Sequence, residues 1–203
     1  MINPITSFVY KSSHLALGSE SDIVYLIDTS QSVNKEVMSA MTQFLKAEVN
    51  THASNANIGI INYGKKAEII SDLTSDSQQL YDSISGIKKV GGDRRVDVAL
   101  KKYQRSMLPG ARADRTKQII LFITGGNSLA GKEDLETILA KLKTKGVKII
   151  VIAIGNTIDK NEVTKIALGE PENVIYIDMV SQLAEVVPSL FLIIGKGAGE
   201  LFN

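Results

Sequence analysis

Four continuous apolar runs most strongly limit the folds open to this chain. They are DIVYLID (22–28), NIGIINY (57–63), KQIILFIT (117–124) and VKIIVIAI (147–154). Strands buried on both faces show this continuous pattern, whereas half-exposed strands alternate apolar with polar residues. A shorter run, NVIYID (173–178), predicts a further strand of the same kind. KAEIISD (66–72) follows Gly64 closely, which predicts a tight hairpin and an antiparallel edge strand.

Helical patterns separate these strands. Apolar residues recur at three- and four-residue steps over 33–45 and 135–142, and Gly146 stands where the second helix should end. Strands that alternate with helices predict an α/β, doubly wound (Rossmann-like) fold. We expect a mostly parallel central sheet with one antiparallel edge strand and helices on both faces. Further helices are predicted near 76–88, 97–107, 160–168 and 180–194.

Composition excludes several classes of protein. A chain of 203 residues suits one domain with a full hydrophobic core, and a formal net charge of +1 forces no basic face, so a nucleic-acid partner is not expected. No stretch approaches 18 uninterrupted apolar residues, which predicts no membrane span. The absence of cysteine excludes disulfides, thiol catalysis and cysteine-ligated zinc.

The histidines and the two ends add less. His14 and His52 lie in polar segments away from acidic clusters, which predicts surface histidines and no His-ligated metal. Residues 1–20 are polar and serine-rich and are expected to form an N-terminal extension to a domain at 21–194. Residues 195–203, GKGAGELFN, are typical of a flexible tail.

The segment DTSQS (28–32) directly follows the first apolar run, and ligands of open parallel sheets bind beyond such strand ends. Asp28, Ser30 and Ser32 offer a carboxylate and two hydroxyls, the hard oxygen ligands that Mg²⁺ prefers. Alternatively, these are turn and N-cap residues that open a helix at Val33. A remote alternative is a hydrolase with Asp28 as its nucleophile. DIVYLIDTS resembles phosphatases of the haloacid dehalogenase type, but Ser30 stands in the place of the second Asp of their DxD pair.

The order of these segments resembles the von Willebrand factor A domain family over residues 21–194. The matching segments are DTSQS, the hairpin, GGDRRVDVAL (91–100) and ITGG (123–126) between the apolar runs. The resemblance implies a non-enzymatic binding module with a metal-ion-dependent adhesion site at the top of the sheet. In such a site an acidic side chain of the partner completes the coordination of Mg²⁺. Asp28, Ser30 and Ser32 match the family's DxSxS ligands.

Two loops depart from the family pattern, which reads GGxTxTGxAL and ITDG. Arg94 stands in the place of the liganding Thr, and Gly125 stands in the place of the Asp. A guanidinium cannot ligate a metal. If Arg94 points inward, at about 5 Å and an effective dielectric of about 20, it repels Mg²⁺ by roughly 6–7 kcal/mol. Asp93 is a candidate substitute ligand, so the resemblance implies a degenerate site with no cofactor required and at most a weak Mg²⁺ ion.

The resemblance extends to the A domains of matrix proteins such as collagen VI. It implies a secreted, extracellular protein-binding or adhesion module of a matrix or fibre-associated protein that binds largely without metal. Expected partners are other proteins, matrix or collagen-like chains, or acidic polysaccharide at the locally basic stretch 88–105. One alternative is a Mg²⁺-dependent adhesion domain that grips an acidic ligand residue through DTSQS. Another is an intracellular scaffold.

Overall fold

The computed structural model describes residues 21–53, 56–125, 132–186 and 190. Within these residues six strands form one sheet in the order β3-β2-β1-β4-β5-β6. All neighbouring pairs are parallel except β2 with β3. The predicted doubly wound sheet with an antiparallel edge strand is therefore confirmed. The strands are β1 (Ser21–Asp28), β2 (Ala56–Tyr63), β3 (Ala67–Thr74), β4 (Thr116–Thr124), β5 (Val147–Ile154) and β6 (Val174–Ile177).

Helices lie between the strands at the predicted places. They are α1 (Lys35–His52), α2 (Ser77–Ser85), α3 (Val96–Ser106), α4 (Lys132–Thr144) and α5 (Lys160–Ile166). The helix predicted at 180–194 begins with a 3-10 turn at Val180–Gln182, and residues 183–186 are helical. Most of its remainder lies outside the described residues, as do the predicted extension at 1–20 and the tail at 195–203.

Alternate residues of each central strand enter two separate hydrophobic cores. In β1, Tyr25 and Ile27 pack with α1 and α2 on one face of the sheet. Val24 and Leu26 pack with α3, α4 and α5 on the other face. Both sets are at most 1% exposed, because helices cover the sheet on both sides. This double burial explains why the strands read as continuous apolar runs.

The first helix begins two residues later than the sequence suggested. Its N-cap is Asn34, whose side-chain oxygen accepts a hydrogen bond from the Val37 backbone N–H at 2.9 Å. The prediction that the DTSQS residues cap a helix beginning at Val33 is therefore wrong. Val33 precedes the helix and is buried in the core, at 1% exposure. Asp28 thus ends β1, and residues 29–32 belong to the loop between β1 and α1.

His52 also differs from the prediction of a surface histidine. Helix α1 runs for 18 residues, which places His52 four residues after Glu48 on the buried face. The His52 ring is 3% exposed, and its Nε2 lies 3.5 Å from Glu48 Oε2. Glu48 in turn accepts a hydrogen bond from the Tyr25 hydroxyl at 2.7 Å. His14 lies outside the described residues.

No helix within the described ranges is both long enough and apolar enough to cross a membrane.

Candidate functional site

The parallel strands end at a common edge of the sheet, which brings three loops together. The loop after β1 carries DTSQS, the loop before α3 carries GGDRR, and the loop after β4 begins at Gly125. Strand order reverses between β1 and β4, which are neighbours in the sheet but far apart in sequence. Ligands of doubly wound sheets bind at such a switch point. We call this region the loop edge.

Asp28 is the last residue of β1 and is completely buried. One carboxylate oxygen accepts a hydrogen bond from the Ser30 backbone N–H at 2.9 Å. The other accepts from the Thr124 hydroxyl at 2.6 Å and from the Thr124 N–H at 3.3 Å. A buried carboxylate needs such donors to compensate for its lost hydration. Both oxygens of Asp28 are therefore already engaged by the protein.

The two serines contact each other. The hydroxyl oxygens of Ser30 and Ser32 lie 2.9 Å apart, so one donates a hydrogen bond to the other. Ser30 is buried, whereas Ser32 is exposed. The structure thus brings Asp28, Ser30 and Ser32 together at the end of β1, with only Ser32 open to solvent.

Backbone hydrogen bonds attach the GGDRR loop to the DTSQS loop. The Gly91 N–H donates to the Thr29 carbonyl at 2.9 Å, and the Gln31 N–H donates to the Gly92 carbonyl at 2.8 Å. The Lys89 ammonium adds bonds to the carbonyls of Gln31, at 2.9 Å, and Val33, at 2.6 Å. These contacts hold the GGDRR loop beside Asp28. The sequence did not predict the role of Lys89, because its partners are backbone carbonyls and any residue type can supply those.

Arg94 points into the protein. Its side chain is only 6% exposed, and its Nη1 donates a hydrogen bond to the Thr124 carbonyl at 2.6 Å and another to the Gly125 carbonyl. The Asp28 carboxylate bonds the same Thr124 through its hydroxyl. A positive charge therefore lies at the loop edge beside the buried carboxylate, connected to it through one threonine.

The charges of Asp28 and Arg94 both affect the pKa of Tyr63, at the end of β2. Its hydroxyl donates to the Phe122 carbonyl at 2.6 Å, within the core. Burial raises the pKa of Tyr63 well above its ordinary value, and the negative charge of Asp28 raises it further. The positive charge of Arg94 opposes this rise in the Tyr63 pKa. Tyr63 therefore stays neutral and hydrogen-bonded at any ordinary pH.

Gly125 has a left-handed backbone, with φ of +44°. Its N–H donates to the Ile154 carbonyl at 3.0 Å, and its carbonyl accepts from Arg94. Gly125 offers no side-chain oxygen to a metal ion. Its backbone carbonyl points toward the Arg94 guanidinium instead.

Asp93 is exposed, and no described hydrogen bond involves its side chain. The buried acid of this loop is Asp97 instead, at 0% exposure, held by Arg95 through bonds of 2.8 and 2.6 Å. Burial would raise the pKa of Asp97, but the hydrogen bonds and charge of Arg95 lower it below its ordinary value. Asp97 stands in the family's second-loop Gly place, a departure that sequence reasoning missed.

The residues of this site do not fit a bound Mg²⁺ ion. Mg²⁺ requires several oxygen ligands in near-octahedral geometry. Gly125 has no side chain to supply a ligand, and the Arg94 guanidinium, which cannot ligate, lies among these groups and bonds the Thr124 and Gly125 carbonyls. Among the residues that the structure describes, no group of three or more His, Cys, Asp or Glu side chains could hold a metal.

A doubly wound sheet with a DxSxS segment at its switch point is the architecture of an α/β domain that binds ligands at the loop edge. The family model for the von Willebrand factor type A domain matches residues 22–188. The chain therefore belongs to the von Willebrand factor type A domain family.

Curated relatives are matrix or A-domain proteins. The chain is 23% identical over 163 residues to the collagen alpha-2(VI) chain of Gallus gallus, covering 73% of this chain and 16% of that protein. It is 28% identical over 159 residues to von Willebrand factor A domain-containing protein 2 of Xenopus laevis, covering 73% and 19%. The chain thus spans less than a fifth of the length of these two relatives.

A solved structure shares the fold. Proximal thread matrix protein 1 from the mussel byssus, with a zinc-occupied MIDAS motif, has a TM-score of 0.78 and 24% identity. The match covers 86% of this chain and 48% of that chain. At this identity the likeness concerns the fold.

Proposed function

We propose that this chain is a non-enzymatic protein-binding module of an extracellular matrix or fibre-associated protein, and that it binds its partner without a metal ion. The observation that carries the proposal is the buried Arg94 guanidinium, which lies at the loop edge in the place of a liganding threonine. A side chain that is always charged and cannot ligate supplies the positive charge that a divalent ion would otherwise supply.

The relatives support the matrix setting. Collagen VI chains recur among the curated relatives, in chicken, human and mouse. We propose that the partners are proteins, and specifically matrix or collagen-like chains. On this proposal residues 21–194 form the binding domain, with an extension at 1–20 and a flexible tail at 195–203, and the protein is secreted.

Binding of the partner is expected at the exposed part of the loop edge. Gln31, Ser32 and Asp93 are exposed there, around the buried Arg94. Asp28 is completely buried with both oxygens hydrogen-bonded, which is an unsuitable environment for the nucleophile of a hydrolase. The Mg²⁺-dependent alternative requires the Asp28 carboxylate as a metal ligand. It therefore predicts that Mg²⁺ stabilises the folded protein through Asp28, whereas the metal-independent proposal predicts no such stabilisation.

Thermal unfolding in EDTA, and then in millimolar Mg²⁺ or Mn²⁺, distinguishes them. A ligand of the native state adds about 2.7 kcal/mol when its concentration is about 100 times the Kd. For a chain of this size that raises Tm by roughly 5–10 °C. We expect no such rise. A rise of this size that disappears in Asp28→Ala would overturn the proposal and establish a metal-dependent adhesion site.

Binding to immobilised collagen VI, measured in EDTA and in Mg²⁺, tests the partner. We expect equal binding in both buffers, weakened by Asp93→Arg at the loop edge. The matched control is Asp72→Arg, the same change at an exposed position of β3. Absence of binding in both buffers would exclude collagen VI chains as the partner class, and binding only in Mg²⁺ would contradict metal independence.

A further inference from the structure

Two grooves on one side of the protein are lined by eight positive side chains between them. The first, of about 370 Å³, lies between the β2–β3 hairpin and α3. Its cations are Lys65, Lys66, Lys101, Lys102 and Arg105. The second, of about 450 Å³, lies between α3 and α4, and its cations are Lys117, Lys141 and Lys145. We call these eight residues together the basic surface.

Among the side chains that the structure describes, no acidic one lines either groove. Beside the first groove, Lys66 pairs with Glu68 and Lys101 pairs with Asp134. The side chains of Lys65, Lys102 and Arg105 have no described acidic partner. The whole chain has a formal charge of only +1, so the positive charge here is a local concentration. Such a concentration attracts polyanions from solution.

The two grooves flank the same stretch of α3. Arg105 lines the first groove and its neighbour Gln104 lines the second. Both grooves lie on the side of the sheet that α3 and α4 cover, opposite to α1. A linear ligand that crosses the C-terminal half of α3 therefore meets cations on both sides of the helix.

The lining residues indicate which polyanion fits. Single-stranded nucleic acid is bound by stacking its bases on aromatic side chains, and the described lining of the two grooves contains no aromatic residue. Protein partners are held mainly by aromatic, arginine and apolar anchors in desolvated pockets, whereas seven of the eight cations here are lysines on open grooves. Lysine is a hydrated point charge that binds anionic groups without fixed geometry.

We propose that the basic surface binds a linear sulfated polysaccharide, which runs across α3 from the first groove to the second. The closely spaced sulfate and carboxylate groups of such a chain match cations distributed along a helix and over its two flanks. This site goes beyond the proposed protein-binding function, because it uses none of the loop-edge residues.

The test is the affinity for a heparin-derived oligosaccharide of defined length, measured by calorimetry at physiological ionic strength. We expect Lys102→Gln with Arg105→Gln to weaken binding about tenfold, and Lys141→Gln with Lys145→Gln to weaken it by a similar factor, because binding of polyanions depends on the number of charges neutralised. The control, Lys35→Gln with Lys46→Gln, removes two exposed lysines from α1 on the other side of the sheet and should change affinity less than about twofold. Unchanged thermal unfolding of each variant verifies its fold.

Binding of other polyanions distinguishes a sulfated polysaccharide from the alternative ligands. We expect the affinity for heparin to fall linearly on a logarithmic plot against salt concentration. Unsulfated hyaluronan, a single-stranded DNA oligonucleotide and polyglutamate should all bind more weakly. Equal loss of affinity in the α1 control, an effect confined to one groove, or tighter binding of DNA or polyglutamate would each overturn the proposal. Collagen VI binding measured on the same variants keeps this outcome separate from that of the proposed protein-binding function.

Discussion

Asp28 and Arg94 bond opposite ends of one residue. The Asp28 carboxylate accepts the Thr124 hydroxyl at 2.6 Å, while the Arg94 guanidinium donates to the Thr124 carbonyl at 2.6 Å. Both charged side chains are buried, at 0% and 6% exposure. Two opposite charges in a site of low dielectric attract each other strongly, although desolvation opposes much of the gain. Each also keeps hydrogen bonds of its own, Asp28 from the Ser30 N–H and Arg94 to the Gly125 carbonyl, so the two charges are coupled mainly through Thr124.

This relationship predicts energetic coupling between the two positions. Asp28→Asn and Arg94→Gln should each lower the free energy of unfolding by about 2–4 kcal/mol, because each disturbs buried hydrogen bonds to Thr124 and removes an opposite charge near the one that remains. The double variant should lose less than the sum of the two, by about 1 kcal/mol or more. Urea unfolding of the four proteins measures the cycle. Additivity to within about 0.5 kcal/mol would show that the charges act independently.

The structure also predicts how to rebuild a metal site. Arg94→Thr with Gly125→Asp removes the buried cation and returns two oxygen-bearing side chains to the loop edge. Asp is among the residues that tolerate the left-handed backbone of position 125, where an added Cβ would lie 3.5 Å from Thr157 Oγ1. We expect Tm to rise by roughly 5–10 °C in millimolar Mg²⁺ relative to EDTA.

The control for the rebuilt site is the same double variant with Asp28→Ala, which should show no response to Mg²⁺. A rebuilt protein that folds and still ignores Mg²⁺ and Mn²⁺ would mean that Arg94 and Gly125 are not what prevents metal binding.

The surroundings of Gly64 predict that its substitution by Ala destabilises the protein much more than the same substitution at Gly110. A Cβ added at Gly64 would lie 2.4 Å from the Gly91 carbonyl oxygen and 3.2 Å from Ser30 Cα, both backbone atoms. Gly64→Ala must therefore push apart the hairpin, the DTSQS loop and the GGDRR loop. We expect a loss of about 2–3 kcal/mol in the free energy of unfolding, measured in urea.

The matched control is Gly110→Ala, because no described atom lies within 4 Å of a Cβ added there. Its effect should stay within about 0.5 kcal/mol. Similar losses in both variants would show that the close approach of the loops at Gly64 contributes nothing specific.

The buried acid of α1 predicts a pH dependence. Burial raises the pKa of Glu48 from 4.5 to about 7, although the hydrogen bond from Tyr25 lowers it. The folded protein therefore keeps this proton at pH values where the unfolded chain has lost it. The resulting stability is complete below about pH 4.5 and is lost as pH rises through 7. Burial lowers the pKa of His52, which reduces stability in the opposite direction, as pH falls below 6.5.

Glu48→Gln isolates the acid's contribution, since Gln can still accept the Tyr25 hydrogen bond. At pH 8 the variant should be more stable than the parent by about 2–3 kcal/mol, and the difference should shrink toward pH 5. Urea unfolding at several pH values measures it, with the exposed Glu36→Gln on the same helix as control. A difference that does not vary with pH would contradict a raised pKa at Glu48.

The course of the main chain could be predicted because strands buried on both faces require continuous apolar runs. The hairpin near Gly64 followed from the short spacing between two such runs. The strand order, with β1 beside β4, comes from the structure alone. The position of Asp28 at a strand end was equally accessible, since the last apolar residue of a run marks where a buried strand ends.

Contacts between distant segments could not be predicted in this way. Whether Arg94 points inward depends on the Thr124 and Gly125 carbonyls at the end of β4, which accept from its guanidinium only in the tertiary structure. Thr124 reads as one more strand residue, yet it bonds Asp28. His52 looked exposed because its neighbours in sequence are polar, whereas the length of α1 determines which face it occupies.

Arg94 also determines how adhesion would depend on the ions dissolved around the protein. A bound ion fills its site according to its free concentration, so an ion-dependent adhesin can be silenced by chelation or by depletion of the ion. A guanidinium is covalently part of the polypeptide and stays charged throughout the physiological pH range. On the proposed function, adhesion at the loop edge is constitutive: its stoichiometry is fixed at translation, and calcium or magnesium levels have no control over it.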